Sequence, residues 1–177
     1  MKSIKRVIYL IQTIGVLFLV MAGTGIGYIE SSRLARRVEV LDQTLGFLQF
    51  VRTGVRYSAQ PVEELITQSA GHFPALPQLE RCGTLLSQGF PFLQAWKKSL
   101  EDFKKKTRME TIYFQTSEAF GRGFGVTDAE GQLAHFDLYR LRYEEQLNEA
   151  REQYKRKGRL YILLGGLSGL AAALLFI

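Results

Sequence analysis

The chain has 177 residues, a formal net charge of +6 at neutral pH and one cysteine, Cys82. This length supports one domain with a hydrophobic core but hardly two. A single cysteine excludes an internal disulfide, which agrees with a reducing compartment, and we expect Cys82 to be a small core residue. The hydrophobic fraction of 46% is an average of apolar ends and a polar middle.

The first apolar stretch, Val7–Ile29, is long enough to cross a membrane, since a helix of roughly 20 residues spans the hydrocarbon layer. The basic residues before it and the small residues around Ala22 also fit a secretory signal that is cleaved. The apolar region is longer than a usual signal core and continues past Ala22 without a polar break. We therefore prefer a retained anchor over residues 1–30.

The last apolar stretch, Leu160–Ile177, predicts a second anchor over residues 159–177, with a cytoplasmic helical bundle over residues 31–158 between the two. Basic residues flank the middle at both ends, which by the positive-inside rule places it in the cytoplasm and both termini outside. These charges suit the anionic headgroups of a lipid bilayer. A nucleic-acid partner is the rival interpretation, disfavoured because the basic residues lie at the membrane ends, namely Arg33, Arg36, Arg37, Lys155, Arg156, Lys157 and Arg159.

Prolines near helix starts, glycines after helix ends and the lack of an alternating strand pattern predict an all-α bundle of about six helices. The first helix carries apolar residues at alternating steps of four and three, interrupted once by Arg52. These residues are Leu34, Val38, Leu41, Leu45, Leu48 and Val55. Further helices are expected to begin at Pro61, Pro77, Pro91, about Met109 and just after Thr127.

The last helix is predicted to pack antiparallel to the first through an apolar stripe. Arg140–Glu144 and Glu152–Arg156 are expected to pair across one turn of its outer surface. The stripe consists of Leu133, Phe136, Tyr143, Leu147, Ala150 and Tyr154.

A glycine-rich corner precedes this last helix. Gly121, Gly123 and Gly125 suit a tight turn that closes the fifth helix, and Gly125 is a natural residue for positive φ. Thr127 and Glu130 predict a capping box, in which the Thr127 hydroxyl accepts a hydrogen bond from the Glu130 N–H. Asp128 and Gln132 lie one turn apart, where they can cap the helix and fix the angle of the corner.

No residue pattern favours an enzyme, a metal site or a cofactor. There are two histidines, His72 and His135, without ligand spacing, and the glycine-rich corner lacks the Lys-Ser/Thr ending of a phosphate-binding loop. We interpret His135 as a hydrogen-bonded packing residue; a pH switch or ligand is the alternative. Trp96 is interpreted as a core residue, with an anchor on a partner surface as the alternative.

Two pairs of glycines lie four residues apart within the apolar ends. Gly23/Gly27 and Gly165/Gly169 have the spacing that lets membrane helices approach closely. Helix association through either pair is one interpretation, and ordinary abundance of glycine in such segments is the other.

The corner carries a resemblance to a known family. It resembles the signature segment of the stage III sporulation protein AB family, in the pattern Phe120-Gly121-x-x-Phe124-Gly125-Val126-x-Asp128-x-x-x-Gln132 followed by His135. The segments Ala95–Leu100, with Trp96, and Tyr57–Val62 are similar to further family positions. An anchor at each end of a helical middle also matches the family.

The resemblance implies a protein of endospore-forming bacteria in the mother-cell membrane around the forespore. There the family is thought to belong to a multi-protein channel that resembles a secretion system, with a middle domain similar to the cytoplasmic domains of type II secretion and type IV pilus platform proteins. This implies a non-enzymatic platform without a cofactor, contacting a motor ATPase and membrane channel subunits; homo-oligomerisation stays open. The alternative is a membrane-tethered sensor, which a roomy polar cavity would favour over a filled core.

Overall fold

The computed structural model of the chain describes residues 2–58 and 60–174. Six helices follow one another, and the described residues contain no strand, so the predicted all-α class is confirmed. The helices are α1 (Lys2–Ser58), α2 (Val62–Ser69), α3 (Pro77–Ser87), α4 (Phe92–Lys106), α5 (Thr111–Gly123) and α6 (Ala129–Leu174). Two compact units are formed, a terminal unit of Met1–Arg36 with Ala150–Ile177 and a middle unit of Arg37–Glu149.

Proline and glycine set the boundaries of the short helices much as predicted. Pro61 and Pro91 are the N-cap residues of α2 and α4, and Pro77 is the first residue of α3. Gly89, just after α3, has a φ of 86° that favours glycine. The fifth helix differs, because it runs on to Gly123 and so keeps two of the three corner glycines inside its last turn.

Helix α1 contains an apolar segment that is almost entirely unburied. Among the described residues, one stretch of helix, Thr13–Tyr57 of α1, is long and apolar enough to cross a membrane, and 6% of its 18-residue apolar part is buried. Core helices of soluble proteins are mostly buried, so this segment does not behave like one. The predicted C-terminal anchor, 159–177, includes residues 175–177, which lie outside the described part of the chain, and it remains a prediction. That the N-terminal anchor, 1–30, is retained and not cleaved also remains a prediction.

In the middle unit α1 and α6 are antiparallel, as predicted. Arg37 of α1 pairs with Glu149 at 4.0 Å, and Arg52 pairs with Asp137 at 3.3 Å, so the two helices run in opposite directions. Arg37 is not a solvated flanking cation, because it is buried and also pairs with Glu110. The remaining helices pack with α1 and α6 around a core that includes Leu65, Ile66, Leu76, Leu79, Leu85, Trp96, Tyr113, Phe120, Phe136 and Tyr143.

The buried face of α1 is rotated from the predicted one. Leu41 and Leu48 are buried as expected, whereas Leu34, Val38, Leu45 and Val55 are only half-buried. Several helices pack against α1 on the other side of Leu41. The predicted apolar stripe assumed a single antiparallel partner, so it did not include the residues on that side. The residues buried on that side are Val40, Thr44, Phe47 and Val51.

The stripe of α6 is mostly correct. Phe136, Tyr143, Leu147 and Ala150 are buried, whereas Tyr154 is 43% exposed. Both predicted surface ion pairs form, Arg140–Glu144 at 2.6 Å and Arg156–Glu152 at 2.7 Å.

Candidate functional site

The corner between α5 and α6 is held by Gln132. Gly125 has a φ of 79°, and its N–H donates to Gln132 Oε1 at 3.0 Å. The Gln132 amide in turn donates to the Gly123 carbonyl and to Thr127 Oγ1, both at 3.2 Å. Gln132 is 4% exposed, so one buried amide satisfies backbone groups on both sides of the turn.

Asp128 is the N-cap of α6. Its Oδ1 accepts from the Gly131 N–H at 2.9 Å, and the helix begins at Ala129. The predicted capping box of Thr127 and Glu130 is wrong by one residue, because the Thr127 hydroxyl accepts from Gln132 instead. Asp and Thr are both good N-caps, so their relative position in the turn decides which one caps.

Trp96 and Gly121 join α4 to α5. A Cβ on Gly121 would lie under 3.0 Å from three atoms of the indole ring, so the ring occupies the place of a side chain. Trp96 Nε1 donates to the Ser117 carbonyl at 2.8 Å, and the residue is 3% exposed. Trp96 is therefore a core residue and not a surface anchor.

His135 packs beneath the same corner. Its Nε2 bonds the Phe120 carbonyl at 2.9 Å, and its ring stacks on the Phe120 ring at a centroid distance of 5.4 Å. The interpretation as a hydrogen-bonded packing residue is confirmed. His72 is exposed and bonds the Gln68 carbonyl through Nδ1. Within residues 2–58 and 60–174, no cluster of His, Cys, Asp or Glu could hold a metal ion.

A buried polar network links α1, α3, α5 and α6, and sequence patterns missed it. Tyr113 Oη accepts from Gln78 Nε2 at 2.9 Å and lies 3.3 Å from the Thr44 hydroxyl, which itself donates to the Val40 carbonyl. Burial raises the pKa of Tyr113 and, more strongly, that of Tyr143, so both hydroxyls stay protonated. The only sign of this network in the sequence is that polar residues occupy helix positions where the apolar spacing would place hydrophobic ones.

The two tyrosines border a very small cavity. Tyr143 Oη lies 2.7 Å from Ser117 Oγ, and the space between these groups has a volume of about 10 Å³. That is about the smallest volume that holds one water molecule. Gln78 Oε1 is buried there without a hydrogen-bond partner among the described residues. This cavity thus has room for a water but not for a larger ligand.

A larger cleft opens beside the corner. It has a volume of about 490 Å³ and is lined by groups from the end of α1, the start of α2 and α4, and the corner itself. Apolar residues next to it in sequence are exposed, Val126 at 72% and Leu93 at 49%. We name this feature the corner cleft; it is lined by Val55, Gln60, Pro61, Glu63, Phe92, Phe124, Gly125, Thr127, Ala129 and Gln132.

In the terminal unit the two glycine pairs lie against each other. A Cβ on Gly23 would lie under 3.0 Å from the Gly165 carbonyl oxygen, and one on Gly169 would lie 2.8 Å from the Val20 Cα. A Cβ on Gly27 would meet the backbone of Tyr161. All four predicted glycines therefore stand where the backbones of α1 and α6 touch, and they pack against each other within one chain.

These features define an all-α protein with a filled helical bundle, a tightly bonded helix corner and a closely packed pair of long helices. One of those helices has a segment suited to crossing a membrane. The chain belongs to the stage III sporulation protein AB family, because the model of that family matches residues 12–177. The family is one of sporulation structural proteins and is not a known enzyme family.

A solved structure of stage III sporulation protein AB (SpoIIIAB) has a similar fold. The TM-score is 0.61 at 20% sequence identity, and the alignment covers 67% of this chain and 96% of that one. No curated protein matches the chain in a sequence comparison.

Proposed function

We propose that this protein is a non-enzymatic membrane component of the sporulation complex between mother cell and forespore. Its middle unit is a rigid cytoplasmic platform that contacts a motor ATPase. Its apolar terminal helices join it to channel subunits in the mother-cell membrane around the forespore. Family membership supports the sporulation role, and the basic residues flanking the apolar segments support the orientation.

The filled core is the observation that carries the platform role. A sensor that holds its ligand inside the bundle needs an internal pocket, and ligand pockets typically have volumes of about 300–1,000 Å³. The corner cleft is of this size, but it opens at the surface and is not inside the core. The core cavity between Tyr113, Tyr143 and Gln78 has about 10 Å³. Hydrogen bonds between α5 and each of α1, α3, α4 and α6 hold the helices around it in one arrangement. A bundle fixed in this way supports a surface that keeps its shape under load.

The corner cleft is the surface that we assign to the motor ATPase. Exposed apolar groups such as Val126 and Leu93 beside an open cleft are typical of protein-interaction surfaces. The choice of a motor partner rests on the analogy with secretion platform proteins that the family resemblance implies.

Site-specific photo-crosslinking in sporulating cells tests this assignment. A photoreactive amino acid at Val126 is expected to give a covalent product with the ATPase of the complex. The matched control is Leu141, which is also apolar and 58% exposed but lies more than three turns along α6. Equal products at both positions, or none with the ATPase at Val126, would reject the corner cleft as the motor surface.

A charge substitution adds a functional test. Val126→Glu is expected to lower spore formation while the protein stays at its normal level in the membrane, because a buried carboxylate is costly in an interface. Leu141→Glu is expected to leave spore formation unchanged.

A further inference from the structure

A second cleft lies in the terminal unit, where α1 and α6 leave their apolar segments. It has a volume of about 570 Å³ and is lined by Ser31, Tyr154, Lys155, Gly158, Arg159 and Ile162. We name it the basic cleft. None of its six residues is acidic, and two are cations.

Gly158 shapes the floor of the basic cleft. The residue is buried, and a Cβ at this position would lie 3.0 Å from Tyr154 Cδ2 and 3.3 Å from Ser31 Oγ. The absence of a side chain therefore leaves room above the Ser31 hydroxyl and the edge of the Tyr154 ring. Ser31 is 8% exposed, so its hydroxyl faces a sheltered space and can donate to an anion.

The cations of the basic cleft are unneutralised. Lys155 and Arg159 are four residues apart, so they are neighbours on one face of α6 and repel each other. Throughout the described residues neither of them has an ion-pair partner, whereas Arg156 pairs with Glu152 and Arg33 pairs with Glu30. Two adjacent cations without a carboxylate leave a place for an external anion.

The polarity of the cleft changes along α6. Ile162 lines one side, and exposed Leu163 and Leu167 follow on the apolar segment. The charged residues lie on the other side. A ligand that fits must carry a negative charge at one end and hydrocarbon at the other, as an anionic phospholipid does. Basic pockets between membrane helices on the cytoplasmic side are known to hold such headgroups.

We propose that the basic cleft binds the phosphodiester headgroup of an anionic phospholipid. Lys155 and Arg159 hold the phosphate, the Ser31 hydroxyl donates to one of its oxygens, and an acyl chain lies along Ile162. This site rests on the membrane location that is part of the proposed function. It fixes the height of the helix pair in the bilayer at the level of the headgroups.

Native mass spectrometry of the full-length protein in detergent tests the proposal with short-chain phosphatidylglycerol as the probe. Lys155→Gln/Arg159→Gln is expected to weaken retention of this lipid roughly 10- to 30-fold, because each of these cations loses a direct hydrogen bond to the phosphate that contributes a factor of about five. The control Arg156→Gln/Lys157→Gln removes the same charge from residues outside the cleft and is expected to change retention less than about twofold.

Two further measurements distinguish binding of an anionic lipid from binding of free phosphate or of any phospholipid. Phosphatidylcholine at the same concentration is expected to bind weakly, and inorganic phosphate is expected not to displace phosphatidylglycerol. Equal losses in the two double variants, equal binding of phosphatidylcholine, or displacement by inorganic phosphate would each overturn the site. Carbonate extraction of cell membranes is the separate measure of the proposed location. Protein that resists extraction but shows no lipid preference defeats the basic cleft alone, whereas extracted protein defeats both proposals.

Discussion

The indole ring of Trp96 lies directly over the Cα of Gly121, in the space that a side chain at residue 121 would need. The same indole donates from Nε1 to the Ser117 carbonyl, one turn earlier on α5. Because α5 also leads into the corner, the packing of α4 on α5 and the start of α6 depend on one glycine. This dependence gives Gly121 a physical role in the packing of the bundle.

We therefore expect Gly121→Ala to destabilise the protein by about 1–3 kcal/mol, the usual cost of forcing an extra group into a packed core. Unfolding in urea is followed by the fluorescence of Trp96, the one tryptophan of the chain. The folded variant should also show red-shifted emission because the ring is displaced.

Gly83→Ala is the matched control for that experiment. Gly83 is another buried helical glycine, but a Cβ there meets its nearest neighbour, Thr67, at an ordinary 3.7 Å. Alanine has the better helix propensity, so this variant should be neutral or up to about 1 kcal/mol more stable. Equal destabilisation of the two variants would mean that Trp96 is not what makes Gly121 necessary.

Two substitutions at the start of α6 distinguish capping by Asp128 from the predicted capping box of Thr127 and Glu130. Asp128→Ala removes the bond to the Gly131 N–H and is expected to cost about 1 kcal/mol of the free energy of unfolding. Glu130→Ala is expected to stay within about 0.5 kcal/mol, since Glu130 is exposed and takes no part in the cap. A larger loss for Glu130→Ala than for Asp128→Ala would restore the capping box with Thr127. Urea unfolding at neutral pH measures both.

The sequence was sufficient to predict the class of the fold, and the reasons are local. Proline at helix starts, glycine after helix ends and long apolar runs each act within a few residues, so the order of α1 to α6 could be predicted. The face of each helix that is buried could not be predicted to the same degree. Phe47 and Val51 are buried because several helices pack against α1. The predicted stripe through Leu45 and Val55 assumed that α1 has one partner helix.

The corner shows the same limit at the level of single bonds. Gly125, Asp128 and Gln132 were identified from the motif, but their hydrogen bonds depend on how the chain turns between α5 and α6. The helix α6 begins one residue later than predicted, so its N-cap is Asp128 and not Thr127. The Tyr113 network and the basic cleft join residues far apart in the chain, so no spacing rule could connect them.

Alkaline pH should weaken the fold through Cys82. Burial raises the pKa of this thiol from its ordinary value of 9.0 to about 12. Above pH 9 the unfolded chain releases the thiol proton while the folded protein retains it. The stabilisation is therefore complete below pH 9 and is lost as the pH rises toward 12. Between pH 8 and pH 10 this loss amounts to about 1.4 kcal/mol.

Cys82→Ala is the variant that isolates this effect. It is expected to be less stable than the wild-type protein at pH 8, because a buried group is removed. Its stability should nevertheless fall less between pH 8 and pH 10. The pKa values of Tyr113 and Tyr143 are raised above 10.0, so their ionisation lowers the stability of both proteins at still higher pH. Parallel pH profiles for the two proteins would show that Cys82 is solvated.

The glycine contact between α1 and α6 can be measured by a disulfide within one chain. In a Cys82→Ala background, Thr24→Cys and Gly166→Cys place two thiols close together, since a Cβ on Gly166 lies 3.5 Å from Thr24 Oγ1. Mild oxidation is expected to give an intramolecular crosslink that is independent of protein concentration. A crosslink that forms between chains would instead assign the glycines to self-association.

Adding Gly27→Leu to this pair should lower the crosslinked fraction roughly tenfold, because a side chain there meets the backbone of Tyr161 and separates the helices at a cost of about 1–3 kcal/mol. Gly25→Leu is the control, since a Cβ at Gly25 has no neighbour within 4 Å and its side chain points away from α6. Both variants add the same apolar bulk to the same helix. A loss of crosslinking in Gly25→Leu as large as in Gly27→Leu would attribute the effect to added bulk in the apolar segment, and the glycine contact would then not hold the two helices together.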